Sequence, residues 1–229
     1  LLFLCPFGAP ALAHPIESFD SFVQSFESKA IAAGVSREVY REATAGMTPD
    51  PNVPELVTAQ PEFTTPMWDY LDARVTSGRI SRGRDAIAAN ASLFEATGKT
   101  YGVDPYILGA IWGVETDYGV VLGNNKLIRP IIRSLMTLVH QRRGRLAEDE
   151  ADLISAFLLL QRERLSASEL VGSWAGAFGH LQVNPSNVLL HGTDGDGHVD
   201  LNRSLADALA TSATFLRALG YRPGLDWGF

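Results

Sequence analysis

A mainly α-helical fold, with at most a small β element, is predicted by three features of this sequence. Apolar residues recur at intervals of three and four along most of the chain. Polar capping residues stand before several of those runs, and the alternating pattern of strands is rare and short. The 229 residues are 46% hydrophobic, enough for one large domain or two closely packed ones. A formal net charge of -7 and a pI near 5.2 leave no overall positive field to attract phosphates, which argues against a nucleic-acid partner.

The first segment, Leu1 to Ala13, is expected to be the end of a signal peptide with Ala11-x-Ala13 at the cleavage position, placing the mature chain outside the cytoplasm. The alternatives are a buried apolar segment of the mature fold, or a lipid-bearing Cys5, whose preceding Leu4 is bulky for such a site. Cys5 is the sole cysteine, so disulfides within the chain are excluded.

Ile16, Phe19, Phe22, Val23, Phe26 and Ala30 share one face of a helix that ends at Gly34. Ser36 caps a short second helix through Tyr40. From Met47 to Pro66, prolines 49, 51, 54, 61 and 66 predict an extended, irregular connector. A helix follows around Trp68, Leu71 and Val75, and a longer one over about 82–97. Asp104-Pro105 opens a helix reaching about Asp117, proline costing nothing where the N–H would be unpaired. That helix is apolar nearly all round and is expected to be buried on most sides. Ser166-x-x-Glu169 has the form of a capping box, and Ser204 opens a last helix to Gly220. The small β element is expected within 119–130 or 179–200. Two regions are expected, an N-terminal helical one over 14–97 and a core over 98–229, with no transmembrane span.

Glu115 lies four residues after Ile111 and eight after Ile107, so it continues an apolar stripe. Burial there, and the negative end of the helix dipole, would both hold the carboxyl protonated, as a general acid requires. Position alone favours a structural glutamate that ties down the turn at 116–119. Asp117, two residues on, is expected to point away and to be a solvated turn residue. The segment from Gly172 to Gln182 is polar and glycine-rich, and small residues there would let a polymer approach the backbone.

Three segments in order resemble the membrane-bound lytic murein transglycosylase B family, a lysozyme-like group acting on peptidoglycan. They are Gln60-Pro61-Glu62-Phe63 with Trp68-x-Tyr70-Leu71, Ile111-Trp112-Gly113-Val114-Glu115-Thr116-x-Tyr118-Gly119, and Gly172-Ser173-Trp174-Ala175-Gly176-Ala177-x-Gly179-His180-x-Gln182. The resemblance implies a lysozyme-like helical core packed against the N-terminal region. It also implies Glu115 as the single acid and base, Ser173 and Gln182 holding saccharide, glycan strands as partner, and a periplasmic or envelope location for a monomer. The reaction would cleave the MurNAc-GlcNAc bond, form a 1,6-anhydromuramyl end, and require no cofactor. After Gln182 the residues Val183 to Val188 depart from the family's aromatic pattern. The family's C-terminal segment, with its Tyr-Asn pair, is missing from the sequence as read. A non-catalytic peptidoglycan-binding or scaffold protein, or a muramidase-type hydrolase, is therefore kept as the alternative.

Asp194-Gly195-Asp196-Gly197-His198-Val199-Asp200 resembles a calcium loop, with Asp194, Asp196, Asp200 and the His198 carbonyl as candidate ligands. The alternative is a metal-free Asp/Gly turn, because the first position falls on Gly192 and the closing one on Arg203. The five histidines show no paired zinc spacing, so His180 and His191 are expected to be polar loop residues. Trp112 is expected in the core, and Arg142-Arg143-x-Arg145 at a solvated helix end.

Overall fold

Ser18 caps helix α1 (Phe19–Ala32) by accepting from the Ser21 N–H, and Ser36 caps α2 (Arg37–Thr44) through the Val39 N–H. Both serines satisfy amide donors that a first helical turn leaves unpaired. The structure, a computed structural model, describes residues 17–58, 64–142, 145–193 and 197–225. The expected signal segment, the Gln60–Phe63 motif, Arg143, Asp194 and Asp196 all lie outside those residues. α1 buries Phe19, Phe26 and Ala30, and α2 runs a turn beyond the expected end at Tyr40.

The proline-bearing stretch is not wholly irregular, because α3 (Val53–Thr58) forms within it and buries Val53 completely. Its approach is pinned at Asp50: the backbone N–H donates to Thr137 Oγ1 at 2.9 Å, and the carboxylate accepts from Arg129 Nη1 at 2.9 Å. α4 (Met67–Arg74) appears where expected but buries none of its side chains. The helix expected over 82–97 is two helices, α5 (Ser77–Ala89) and α6 (Ala91–Tyr101), broken at Asn90. Asn90 has φ −119°, and its side-chain amide donates to Ala86 O at 2.9 Å. Asparagine competes in this way with the helical backbone, and its periodic neighbours conceal the break in the sequence.

α7 (Pro105–Thr116) starts as expected, Asp104 accepting from the Tyr106 N–H at 2.7 Å. It leads through a 3-10 turn (Val120–Gly123) to β1 (Arg129–Pro130) and α8 (Ile131–Gln141). α8 and α9 (Leu146–Glu163) form the centre of the molecule, with Ile131, Leu135, Met136, Leu153 and Phe157 fully removed from solvent. Each such side chain contributes about 1.5–3 kcal/mol by its burial. α1 and α3 lie on α8, α2 lies on α9, α10 (Pro185–His191) packs on α9, and α11 (Leu205–Ala218) packs on α6. One continuous apolar cluster therefore joins early residues such as Phe26 to late ones such as Leu209.

β1 pairs antiparallel with β2 (Val171–Gly172), Arg129 opposite Gly172. β1 falls in the first expected window, whereas β2 precedes the second; Phe178, just before that window, forms an isolated bridge with Val183 inside it. Ser166 and Glu169 make half of the expected capping box, since the Glu169 carboxylate accepts from the Ser166 N–H at 2.9 Å. No helix follows, because the chain turns there and enters β2. Among the described residues no helix is long and apolar enough to cross a membrane.

Candidate active site

The face that α7 buries is offset by one residue from the stripe read in the sequence. Leu108, Gly109, Trp112, Gly113 and Thr116 are buried, while Ile107 and Ile111 are half-buried and Glu115 is exposed. Tyr106, 75% exposed, and Val114 lie on the open side, so α7 has one covered face where burial on most sides was expected. Glycine explains the offset. A Cβ on Gly109 would stand 2.5 Å from Ile87 Cδ1, and one on Gly113 would stand 2.5 Å from the Tyr118 hydroxyl. These two positions give α5 and the Tyr118 ring close access to the helix, which a hydropathy count cannot register. The burial expected for Glu115 is therefore not observed.

α7 ends in three successive left-handed residues, Asp117 (φ 49°), Tyr118 (φ 61°) and Gly119 (φ 89°). For the first two, which carry side chains, this conformation is uncommon and needs outside support. Asp117 is not the solvated residue expected: Arg82 Nη2 donates to both its oxygens at 2.8 and 2.9 Å, and Arg79 Nε donates at 3.3 Å. The Arg82 hydrogen bond, with Arg79 beside it, holds the Asp117 carboxyl below the usual range.

The other support is Thr116, fully buried. Its hydroxyl donates to His180 O at 2.7 Å and accepts from the Gly119 N–H at 3.1 Å. Trp112, in the core as expected, donates from Nε1 to His180 Nδ1 at 3.0 Å. Because Nδ1 accepts, the neutral ring carries its proton on Nε2. Burial lowers the His180 pKa, which agrees with that neutral form. His180, a polar loop residue as expected, is thus also a structural link, while His191 is the last residue of α10 and stacks on Phe215.

The link joins the helix end that carries Glu115 to the glycine-rich segment. Ser173 N–H donates to Ala177 O at 2.7 Å, and Phe178 and Val183 exchange backbone hydrogen bonds around a turn. Gln182, with φ 49°, closes that turn by donating from Nε2 to Gly179 O at 2.9 Å. Ser173 and Gln182 are half-buried. The glycines, however, serve the interior more than a ligand. A Cβ on Gly172 would collide with Ala177 O, and one on Gly176 with Leu135.

In the described part of the calcium-like loop, the candidate ligands Asp200 and His198 face other protein groups. Asp200 Oδ1 accepts from the backbone N–H groups of Asn202 and Arg203 at 3.1 and 3.0 Å, capping the turn before α11. The exposed His198 ring lies 3.4 Å from Glu163. Among the described residues no three His, Cys, Asp or Glu side chains come together to hold a metal.

Residues 18–229 match the family model described as the transglycosylase SLT domain. The chain is 33% identical over 129 residues to membrane-bound lytic murein transglycosylase B of Escherichia coli (strain K12), covering 55% of this chain and 34% of that protein. Among solved structures, SltB3 from Pseudomonas aeruginosa in complex with NAG-NAM-pentapeptide superposes with a TM-score of 0.83 at 38% identity, covering 93% of this chain and 56% of that one. The Escherichia coli lytic transglycosylase Slt35 in complex with calcium superposes with a TM-score of 0.75 at 26% identity, over 96% of this chain and 67% of that one. This chain therefore spans about a third of the curated relative and a little over half of SltB3. With the helical fold, the Glu115 segment and the match across nearly its whole length in agreement, the chain belongs to the transglycosylase SLT domain family.

Proposed function

We propose that this chain carries the catalytic centre of a lytic transglycosylase of the cell envelope, with Glu115 as its acid and base and peptidoglycan glycan strands as its substrate. One observation carries the reading. Glu115 is solvent-accessible, yet the residues after it are locked by Thr116 to His180, two positions from Gln182. An accessible carboxyl on a fixed backbone, next to a hydrogen-bonding turn, suits a long polar ligand.

The Glu115 acid gives its proton to the glycosidic oxygen as the C1–O bond of the muramyl residue breaks. The carboxylate then takes the proton of the C6 hydroxyl as O6 bonds to C1, which closes the anhydro ring and restores the acid. Only one carboxyl is required, in contrast to the two of most glycosidases, because the nucleophile belongs to the substrate. Since Glu115 is exposed in the free protein, the arriving strand provides the exclusion of water that favours the acid form. Ser173 and Gln182 would hold the saccharide. Calcium enters no step, and any role for Asp194, Asp196, His198 and Asp200 in binding it is separate from the chemistry.

Digestion of purified murein followed by mass spectrometry of the muropeptides tests the reaction. Products one water lighter at the reducing end are expected. Ordinary reducing ends would indicate a hydrolase, and binding without release would indicate a scaffold protein. Glu115→Gln is expected to abolish release with its melting temperature preserved, and an active variant would remove Glu115 from the role.

A further inference from the structure

Glu115 is followed at once by two anchors that pull on different parts of the molecule. Thr116 ties the helix end to the turn at His180. Asp117 ties it to α5, through Arg82 on both oxygens and Arg79 on one. The Arg79 side chain extends the second anchor, since its Nη1 donates to Arg74 O at 2.6 Å, the last residue of α4. Beside it the Tyr118 ring lies in a notch formed by the absent side chains of Gly83 on α5 and Gly113 on α7.

We propose that Asp117, gripped by Arg79 and Arg82, is a positioning residue that holds the end of α7, and with it Glu115, in the geometry of the reaction. The inference rests on the reading of Glu115 as the acid and base. Where the Glu115 carboxyl stands depends on the backbone that carries it, and so on what fixes the residues that follow. Helix ends fray unless their terminal groups are bound. Here the residue after the last helical one adopts a left-handed conformation, and its carboxylate receives Arg82 Nη2 on both oxygens and Arg79 Nε on one, charge-assisted hydrogen bonds from two side chains of one helix. The clamp also makes α4 and α5, from the first half of the chain, part of the support of a centre formed by the second.

Asparagine tolerates the left-handed conformation, so Asp117→Asn keeps the turn and removes the charge. Arg82→Lys keeps the charge but replaces the planar guanidinium by an ammonium on a shorter stem, which displaces the donor that Nη2 supplies. Release of anhydromuropeptides from solubilised glycan strands is followed for each variant, for the double variant and for Glu115→Gln, with melting temperatures. A kcat about tenfold lower in Asp117→Asn, with KM within about twofold of the original, is the expected result. Arg82→Lys should lose part of that rate, and the double variant should be no slower than Asp117→Asn, because both changes break one interaction. Wild-type kcat in Asp117→Asn, a loss confined to KM, or effects that multiply in the double variant would overturn the proposal. Inactive Glu115→Gln beside a fully active Asp117→Asn sinks the clamp alone, whereas active Glu115→Gln sinks the reading on which it rests.

Discussion

Replacing Gly179 with alanine places a methyl group where the turn at 179–182 leaves no room. Gly179 has φ +81°, and its Cβ would overlap the Leu201 Cβ and stand 2.7 Å from the Leu201 carbonyl oxygen. That carbonyl cannot move without cost, because it accepts from the His180 N–H at 2.9 Å, while Gly179 N–H donates to Asn202 Oδ1 at 3.0 Å. The left-handed conformation alone costs about 1–2 kcal/mol for a residue with a Cβ. Overpacking against an anchored backbone adds about 1–3 kcal/mol, and the reduced freedom of the unfolded chain returns about 0.4–1 kcal/mol. The net loss, about 1–5 kcal/mol, corresponds to roughly 2–18 °C in a domain of this size. Gly46→Ala is the internal control: φ there is +64°, but nothing lies within 4 Å of the added atom. It should cost only the conformational part less the same unfolded-chain return, a shift of about 0–6 °C. Thermal unfolding followed by circular dichroism measures both. Equal shifts in the two variants would refute the claim that the Leu201 contact decides the first, and with it the account of why this turn needs glycine.

Two further predictions concern pH. Burial raises the Asp149 carboxyl above the ordinary aspartate range, and one of its oxygens has no hydrogen-bond partner. The folded state then holds that proton more tightly than the unfolded chain, so stability falls as pH rises through that raised value. Asp149→Asn should melt above the original protein at pH 7, with the difference vanishing below the ordinary aspartate range; an unchanged difference across pH would contradict the assignment. His180 shows the opposite dependence, since burial lowers its pKa and protonation would turn its Nδ1 into a donor facing the Trp112 N–H. Its contribution is complete above the ordinary histidine value of about 6.5 and is lost as pH falls below it. The melting temperature should fall less between pH 7 and pH 5 in His180→Gln than in the original protein, and an identical fall would exclude His180 as its source.

Much of the architecture was legible because helices are written locally. The starts at Ser36, Asp104 and Ser204 came from capping chemistry within four residues of each site, and all three helices begin there. The family likewise followed from short contiguous segments, and the match over residues 18–229 bears that out. Errors arose where an interaction outside the hydrophobic periodicity outweighed it. Asn90 breaks a run whose periodicity is uninterrupted, and the Ser166 box forms without its helix because the following residues pair with β1.

The candidate site divides in the same way. The sequence by itself determined which residue types are present: one carboxylate at the end of an apolar helix, and a glycine-rich segment with a serine and a glutamine. Only the tertiary structure decided which side of α7 is covered. Gly109 and Gly113 admit α5 and Tyr118 and turn the buried face by one residue, leaving Glu115 accessible. It also decided that His180 joins α7 to the turn and that Asp117 belongs to Arg79 and Arg82, partners 64 and 35 to 38 residues away from the groups they hold. Contacts of that separation depend on how closely two backbones approach, a property of packed surfaces that a window of sequence does not contain.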